Sequence, residues 1–261
     1  MTDNQGADAP ASRRRFLGGG VAEWGWWAAG LGVGLLVATL GFQLVRPGAP
    51  GQTVSSEAVR AALLADPQMI PDAMASLEAR ETAKRIAAHR KALETPFAGA
   101  WAGAEDGDVV LVEFFDYNCP FCRQSAADVE RLIAEDPKLK VVFREYPVLG
   151  EPSERFARAS LSAAVQGQPR HRAFYGEVFG KPGQLTPERL QATVAAAGLD
   201  PARLSADFTS KAVEEELDRN LELGRALGIG GTPSYIVGNR ILPGAVGYAA
   251  MKAAIADARR G

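Results

Sequence analysis

Length, charge and cysteine content limit what this chain can be. Its 261 residues suffice for one sizeable domain with extensions, and a formal net charge of −2 gives no indication of a nucleic-acid partner. Two cysteines are too few for a secreted fold held by structural disulfides. Together with two histidines they also supply a structural zinc site poorly. We therefore expect neither a metal nor a cofactor.

The N-terminal region predicts a membrane anchor. Residues 1–23 are a polar, basic segment containing Arg13-Arg14-Arg15, and residues 24–45 carry no charge. About 20 apolar residues span a bilayer as a helix, and the positive cluster before them is expected to stay in the cytoplasm. Residues after Arg46 would then lie in the periplasm of a bacterium, anchored to its inner membrane. The alternatives are a signal removed on export, which leaves a soluble periplasmic protein, and a twin-arginine export signal.

A linker and a helical stalk are predicted next. Residues 46–54 are rich in Pro and Gly. Over residues 55–95 the pattern predicts a helix from Glu57 to Ala65, a break at Asp66-Pro67 and a longer helix from about Pro71 to Leu93. Two interpretations stay open, a solvated spacer and an oligomerisation region that pairs copies of the chain through sparse apolar positions. These positions include Ile70, Met74, Leu77 and Ile86.

The most informative stretch contains both cysteines. Val109–Phe115 is apolar and predicts a buried strand, and the pattern from Gln124 to Ile133 predicts a helix. Cys119 then lies at a helix N-terminus, where unpaired N–H groups stabilise a thiolate and lower its pKa. Cys122 follows one turn later and can close a disulfide with Cys119. We expect Cys119 to exchange disulfides and Cys122 to resolve them, although a zinc half-site or two core cysteines would read similarly.

These residues resemble the thioredoxin superfamily and, within it, the DsbA-like thiol–disulfide oxidoreductases. Glu113 matches the buried glutamate of that family's strand, Cys119-Pro120-Phe121-Cys122 its active-site motif and Gly231-Thr232-Pro233 its cis-proline loop. The resemblance covers roughly residues 100 to 261. The stalk is similar to the N-terminal region of the suppressor-of-copper-sensitivity C branch, in which such a stalk can assemble trimers.

The fold class implied is α/β, a thioredoxin fold with an inserted helical domain, over residues 96–261. Lys138–Pro147 predicts the second strand of a βαβ unit, and a mainly helical insertion follows at about residues 153–227. Ser234–Val237 and Arg240–Pro243 predict a hairpin. A helix from Gly247 to about Arg259 is predicted to end the chain.

The resemblance also implies roles for the site residues. Pro233 would be cis and face the Cys119 sulfur, which leaves the Thr232 backbone free to pair with an extended substrate segment. Glu113, buried near Cys122, would move a proton to or from that thiol, and burial should raise its pKa. A Glu113 at a strand edge that meets solvent is the alternative.

The residues between the cysteines bear on substrate contact and redox direction. Pro120 and Phe121 would contact substrate. They lack the histidine of the family's strongest oxidant, and Thr232 replaces its aliphatic residue, so we expect a less oxidising pair.

Three functions remain open. The first is a periplasmic thiol oxidase for exported proteins that bear cysteines, reset by a membrane redox partner. The second is a disulfide isomerase or reductase that acts as a homo-oligomer. The third is a protective protein that binds Cu(I) through Cys119 and Cys122.

Overall fold

The computed structural model describes residues 55–260. The predicted basic N-terminus (1–23), membrane span (24–45) and linker (46–54) lie outside the described residues. From Ser55 to Arg260, no helix combines the length and the apolar character needed to cross a bilayer.

The described residues belong to two units, and the smaller one contains helix α1, Ser56–Ala65. The Ser55 hydroxyl accepts a hydrogen bond from the Ala58 backbone N–H at 3.1 Å, which satisfies one of the free donors at the helix N-terminus. The helix stops before Asp66-Pro67, as the sequence predicts. None of its residues is buried.

The larger unit, from Pro67 onward, contains the sheet and the remaining helices of the described chain. Its strands are β1 (Trp101–Gly103), β2 (Val109–Phe115), β3 (Leu139–Glu145), β4 (Ser234–Val237) and β5 (Arg240–Pro243). Its helices are α2 (Met69–Glu94), α3 (Pro120–Glu135), α4 (Glu151–Val165), α5 (Gln168–Gly180), α6 (Pro187–Ala196), α7 (Pro201–Phe208), α8 (Lys211–Leu227) and α9 (Tyr248–Arg260).

The five strands form one sheet with the order β1-β3-β2-β4-β5. Strands β2 and β3 are parallel and joined through α3, whereas the other pairs are antiparallel. Helices α4 to α8 lie between β3 and β4 in the sequence. The predicted α/β class and the presence of a helical insertion are therefore confirmed.

The sheet is covered by helices on both faces. Strands that are buried on two faces have nearly continuous apolar sequences and do not alternate between apolar and polar residues. The sequences of β2 and β3 are of this nearly continuous type. One core joins β2 and β3 to α3, α5 and α9, and includes Leu111, Phe115, Phe143, Val129, Tyr175 and Met251. The other joins them to α2 and α8, and includes Val112, Phe114, Val142, Ile86, Leu93 and Leu227.

The second half of α2 belongs to this second core. Ile86 and Leu93 are each 1% exposed, whereas Ile70, Met74 and Leu77 in the first half are at least half exposed. The predicted stalk of residues 55–95 therefore overlaps with the core of the larger unit. Its sparse apolar spacing is explained by the different surroundings of the two halves of the helix.

A buried arginine fixes the end of α2. The Arg144 guanidinium, on β3, donates hydrogen bonds to the carbonyl oxygens of Ala92 (2.5 Å), Leu93 (3.0 Å) and Thr95 (2.5 Å). It also donates to Glu216 Oε1 on α8 at 2.5 Å. These free carbonyls carry the negative end of the helix dipole, so one cation satisfies them and joins α2, β3 and α8.

Candidate active site

Cys119 is the N-cap residue of α3, and Pro120 occupies the first turn, where its missing N–H is tolerated. The pKa of Cys119 is lowered to about 5. The main cause is a hydrogen bond from the Cys122 thiol, and the Thr232 side chain and the backbone N–H groups of Cys122 and Phe121 add to it. The predicted thiolate at a helix N-terminus therefore has its geometric basis.

Cys122 has the opposite environment. Its side chain is fully buried, at 0% exposure, and both thiols are free. Burial raises the pKa of Cys122 far above its usual range, and the hydrogen bond to Cys119 and the charge of Glu113 act in the same direction. The two sulfurs thus differ strongly in acidity, and Cys119 carries the more acidic thiol.

Glu113 lies on the central strand β2 and is 0% exposed. Its carboxyl accepts hydrogen bonds from the hydroxyls of Tyr175 (3.2 Å) and Tyr235 (3.4 Å). Burial raises its pKa to about 8, and these two hydrogen bonds oppose that shift in part. The alternative of a glutamate at a solvent-facing strand edge is therefore wrong.

The loop before β4 meets the reactive thiol. The Thr232–Pro233 peptide bond is cis, as the resemblance implies. The Cys119 Sγ donates a hydrogen bond to the Thr232 carbonyl oxygen at 3.2 Å. Pro233 is buried and Thr232 is half-buried. The structure thus brings Cys119, Cys122, Thr232 and Pro233 together.

Exposed apolar side chains occur near the thiol pair. Phe121, in the first turn of α3, is 60% exposed, and Pro120 is exposed as well. Val148 (46% exposed) and Leu149 (45%) lie in the loop between β3 and α4. Asn118, the residue before Cys119, is bonded to this loop, because its side-chain Nδ2 donates a hydrogen bond to the Leu149 carbonyl oxygen at 3.4 Å.

Asp116, to which the sequence pattern assigns no role, is buried beside this site and does not contact the sulfurs through its carboxylate. It is 2% exposed, and its carboxylate accepts hydrogen bonds from the backbone N–H groups of Asn118 (2.8 Å), Val148 (2.9 Å) and Leu149 (3.1 Å). The sequence signal for Asp116 is its position, as a charged residue between a buried strand and a reactive cysteine. The local pattern does not show that Val148 and Leu149, in the loop after β3, are its hydrogen-bond partners.

Within residues 55–260, no three His, Cys, Asp or Glu side chains are grouped so that they could hold a metal ion. Cys119 and Cys122 would supply two soft ligands, which is the set that the Cu(I) interpretation requires.

Comparison with known proteins defines the class. The profile of the DSBA-like thioredoxin domain matches residues 110–256, and the chain belongs to this family. Relatives of the chain carry names such as thiol:disulfide interchange protein and probable disulfide bond formation protein, and DsbA-like relatives are thiol–disulfide oxidoreductases.

Individual relatives refine this placement. A thioredoxin-like oxidoreductase from Silicibacter pomeroyi is 35% identical, with a TM-score of 0.63, over 66% of this chain and 98% of its own. The catalytic domain of Proteus mirabilis ScsC is 28% identical, also with a TM-score of 0.63, over 69% and 99%. A sequence relative, the Na(+)/H(+) antiporter NhaA of Herminiimonas arsenicoxydans, is 34% identical over 61% of this chain. The chain spans a quarter of that antiporter's length.

Proposed function

We propose that this chain is a periplasmic thiol–disulfide oxidoreductase that passes the Cys119–Cys122 disulfide to exported proteins bearing cysteines. The observation that carries the proposal is the asymmetry of the pair. Cys119 is an acidic thiol at a helix N-terminus beside Thr232, and Cys122 is a buried thiol of high pKa. A stable Cys119 thiolate favours the reduced enzyme, so the oxidised pair readily donates its disulfide.

The first step consumes the enzyme disulfide. A substrate thiolate attacks the Cys119 sulfur, the Cys119–Cys122 bond breaks, and its electron pair passes to Cys122. With a pKa of about 8, Glu113 is protonated at neutral pH and can give its proton to the departing Cys122 sulfur. A mixed disulfide between substrate and Cys119 remains.

The second step releases the product. A second substrate thiolate attacks the substrate sulfur of the mixed disulfide, and Cys119 leaves as a thiolate, which its pKa of about 5 favours. The substrate dithiol loses two electrons and becomes a disulfide, and the enzyme gains them as a dithiol. Renewed turnover needs a membrane partner that takes these electrons. Membrane attachment through residues 24–45 would place the enzyme beside such a partner.

A second candidate is disulfide isomerisation by an oligomer. It is supported by the exposed apolar side chains of Ile70, Met74 and Leu77, which recur at four- and three-residue spacing along the first half of α2. Such a row can pair with copies of itself and present several active sites to one misfolded client. The neighbouring exposed residue Ala75 offers a matched control position on this helix.

Exchange assays on the full chain in detergent test the first candidate. The oxidised enzyme should oxidise a reduced test protein, and Cys119→Ser should abolish this. Cys122→Ser has no internal disulfide, so it should accumulate a mixed disulfide when its Cys119 thiolate attacks a disulfide-bonded test protein and the second sulfur of that bond leaves as a thiolate. The ultraviolet absorbance of the thiolate in the reduced enzyme should titrate with a midpoint of about 5. Absence of exchange together with tight Cu(I) binding would favour the protective protein instead.

Reactivation of a scrambled test protein tests the second candidate. An oligomeric isomerase would lose this activity in Met74→Glu but keep it in Ala75→Glu, and both variants would still oxidise reduced substrate. Equal reactivation by the two variants, or none by the unmodified chain, would exclude it.

A further inference from the structure

The carboxylate of Asp116 is buried beside the reactive loop, and the exchange mechanism does not use it. Burying a carboxylate is costly unless it is hydrogen-bonded. Asp116 meets this requirement with three backbone N–H groups from two separate segments. Oδ1 accepts from Asn118, the residue before Cys119, and Oδ2 accepts from both Val148 and Leu149.

The loop that Asp116 holds is short and ends at a special backbone position. It follows β3 and ends at Gly150, the N-cap of α4, whose φ of 96° lies in the region that favours glycine. The two residues bonded to Oδ2, Val148 and Leu149, each expose nearly half of an apolar side chain. The carboxylate therefore fixes the backbone of the residues whose side chains face solvent.

Apolar side chains are exposed on both of the segments that the Asp116 carboxylate joins. Phe121 lies two residues after Cys119, and Leu149 is joined to Asn118, one residue before it. Burial of such exposed apolar side chains against a bound substrate would stabilise the complex. The occupant that this chemistry fits is an extended polypeptide segment, since its cysteine must reach Cys119 while its flanking side chains lie against Phe121, Val148 and Leu149.

We propose that Asp116 is a positioning residue for polypeptide substrates: by holding the backbone of Val148 and Leu149, it places their apolar side chains against residues that flank the substrate cysteine. The proposal rests on the exchange activity proposed above and names a determinant of its substrate class. Asp116 acts through the loop and does not touch the reacting sulfurs.

This role separates large substrates from small ones. The groups that mainly set the acidity of Cys119 are Cys122, Thr232 and the backbone of Phe121, and the Asp116 side chain is not among them. Loss of the carboxylate should therefore leave the thiol intact while it loosens the loop. A small thiol that meets only Cys119 would react as before, and a polypeptide would lose its apolar contacts.

The test compares full-length wild type, Asp116→Asn and the control Asp106→Asn, which removes the same charge from an exposed turn before β2. The rate constant for reduction of the enzyme disulfide is measured with dithiothreitol and with a reduced peptide whose two cysteines are flanked by apolar residues. Asp116→Asn should slow the peptide reaction about tenfold and the dithiothreitol reaction less than twofold. The Cys119 thiolate titration should not move, and Asp106→Asn should match wild type.

A second variant tests the route through the loop. Leu149→Ser should reproduce the loss that is specific to the peptide, and adding Asp116→Asn to it should cost less than a further twofold, since both changes remove the same contact. Fully additive losses would overturn the proposal. So would equal losses with peptide and dithiothreitol, or a shifted thiolate titration.

Two further outcomes are distinguishable. If circular dichroism shows that Asp116→Asn does not fold, Leu149→Ser decides, and a peptide rate equal to that of wild type overturns the proposal. If wild type itself reacts with neither probe, the proposed exchange function fails, and the inference that rests on it fails with it.

Discussion

Glu113 and Arg144 are buried charged side chains on neighbouring strands and opposite faces of the sheet. Glu113 on β2 lies opposite Phe143, and Arg144 on β3 lies opposite Phe114. The Glu113 carboxyl is bonded to the hydroxyls of Tyr175 and Tyr235. The Arg144 guanidinium, by contrast, donates to a carboxylate, Glu216, and to several carbonyl oxygens.

The difference shows how a fold uses a buried charge in two ways. Arg144 is surrounded by acceptors, one of them anionic, so it keeps its charge and joins three elements. Hydroxyl groups compensate Glu113 only in part, so its pKa rises to about 8 and the group titrates near neutral pH. One side chain therefore serves as a structural joint, and the other can take up and release a proton.

The largest effect is expected from breaking the joint. Arg144→Met leaves the Glu216 carboxylate buried without its main counter-charge and removes the donor to Ala92 and Thr95. We expect a loss of about 3–5 kcal/mol in the free energy of unfolding, measured by urea denaturation. The double variant Arg144→Met/Glu216→Leu should be more stable than the single one, and a double variant of lower stability would contradict this account.

Whereas Arg144→Met should lower the free energy of unfolding, removing the titrating carboxyl of Glu113 should raise it. Because the pKa of Glu113 is raised from 4.5 to about 8, its contribution to stability is fully present below the unfolded pKa and is lost as pH rises through the folded one. Glu113→Gln should therefore stabilise the fold by roughly 3 kcal/mol at neutral pH and by almost nothing below pH 4. Urea denaturation across this range measures it, with exposed Glu105→Gln as control. An equal gain at both pH values would show that titration is not the cause.

A smaller shift should follow from removing one hydroxyl near Glu113. The Tyr175 hydroxyl donates to the carboxyl and so favours its charged form. Tyr175→Phe should raise the Glu113 pKa above about 8 by less than about one unit, followed by the infrared band of the protonated carboxyl against pH. Tyr117→Phe is the matched control, since that buried hydroxyl is bonded to Ser160. A downward shift in Tyr175→Phe would reverse the assigned role.

The smallest effect is expected from Arg219, the second arginine that pairs with Glu216. Arg219 also pairs with Glu216, but half of its side chain is exposed, so solvent screens the pair. Arg219→Gln should cost less than about 1 kcal/mol of unfolding free energy. A cost equal to that of Arg144→Met would mean that the two arginines are not distinguished by burial.

The predictable part of this molecule is the part with local signals. The apolar runs of β2 and β3, the helix start at Cys119 and the turn at Gly238-Asn239 were all readable from the sequence. Glu113, six residues before Cys119, and Pro233, in the Gly231-Thr232-Pro233 loop, were identified because they match motifs of the family. Both are now placed within one site, where their roles stay proposals.

The rest depended on partners far away in the sequence. Arg144 lies inside an apolar strand, and its partner Glu216 follows 72 residues later, so no local pattern connects them. Ile86 reads as a sparse stalk position because the sheet face that buries it is formed by other segments. Asp116 had a local signal, but its meaning depends on the loop 32 residues further on.

Because the two thiols differ in exposure and acidity, the number of cysteines that an alkylating reagent modifies reports whether a molecule is folded. The chain has no cysteines besides Cys119 and Cys122, and in the reduced native state only Cys119 combines slight exposure with a thiolate at neutral pH. A brief pulse of an alkylating reagent should therefore add one mass increment to each native molecule and two to each unfolded one. Mass spectrometry of the unmodified protein would count both populations directly, without an engineered label.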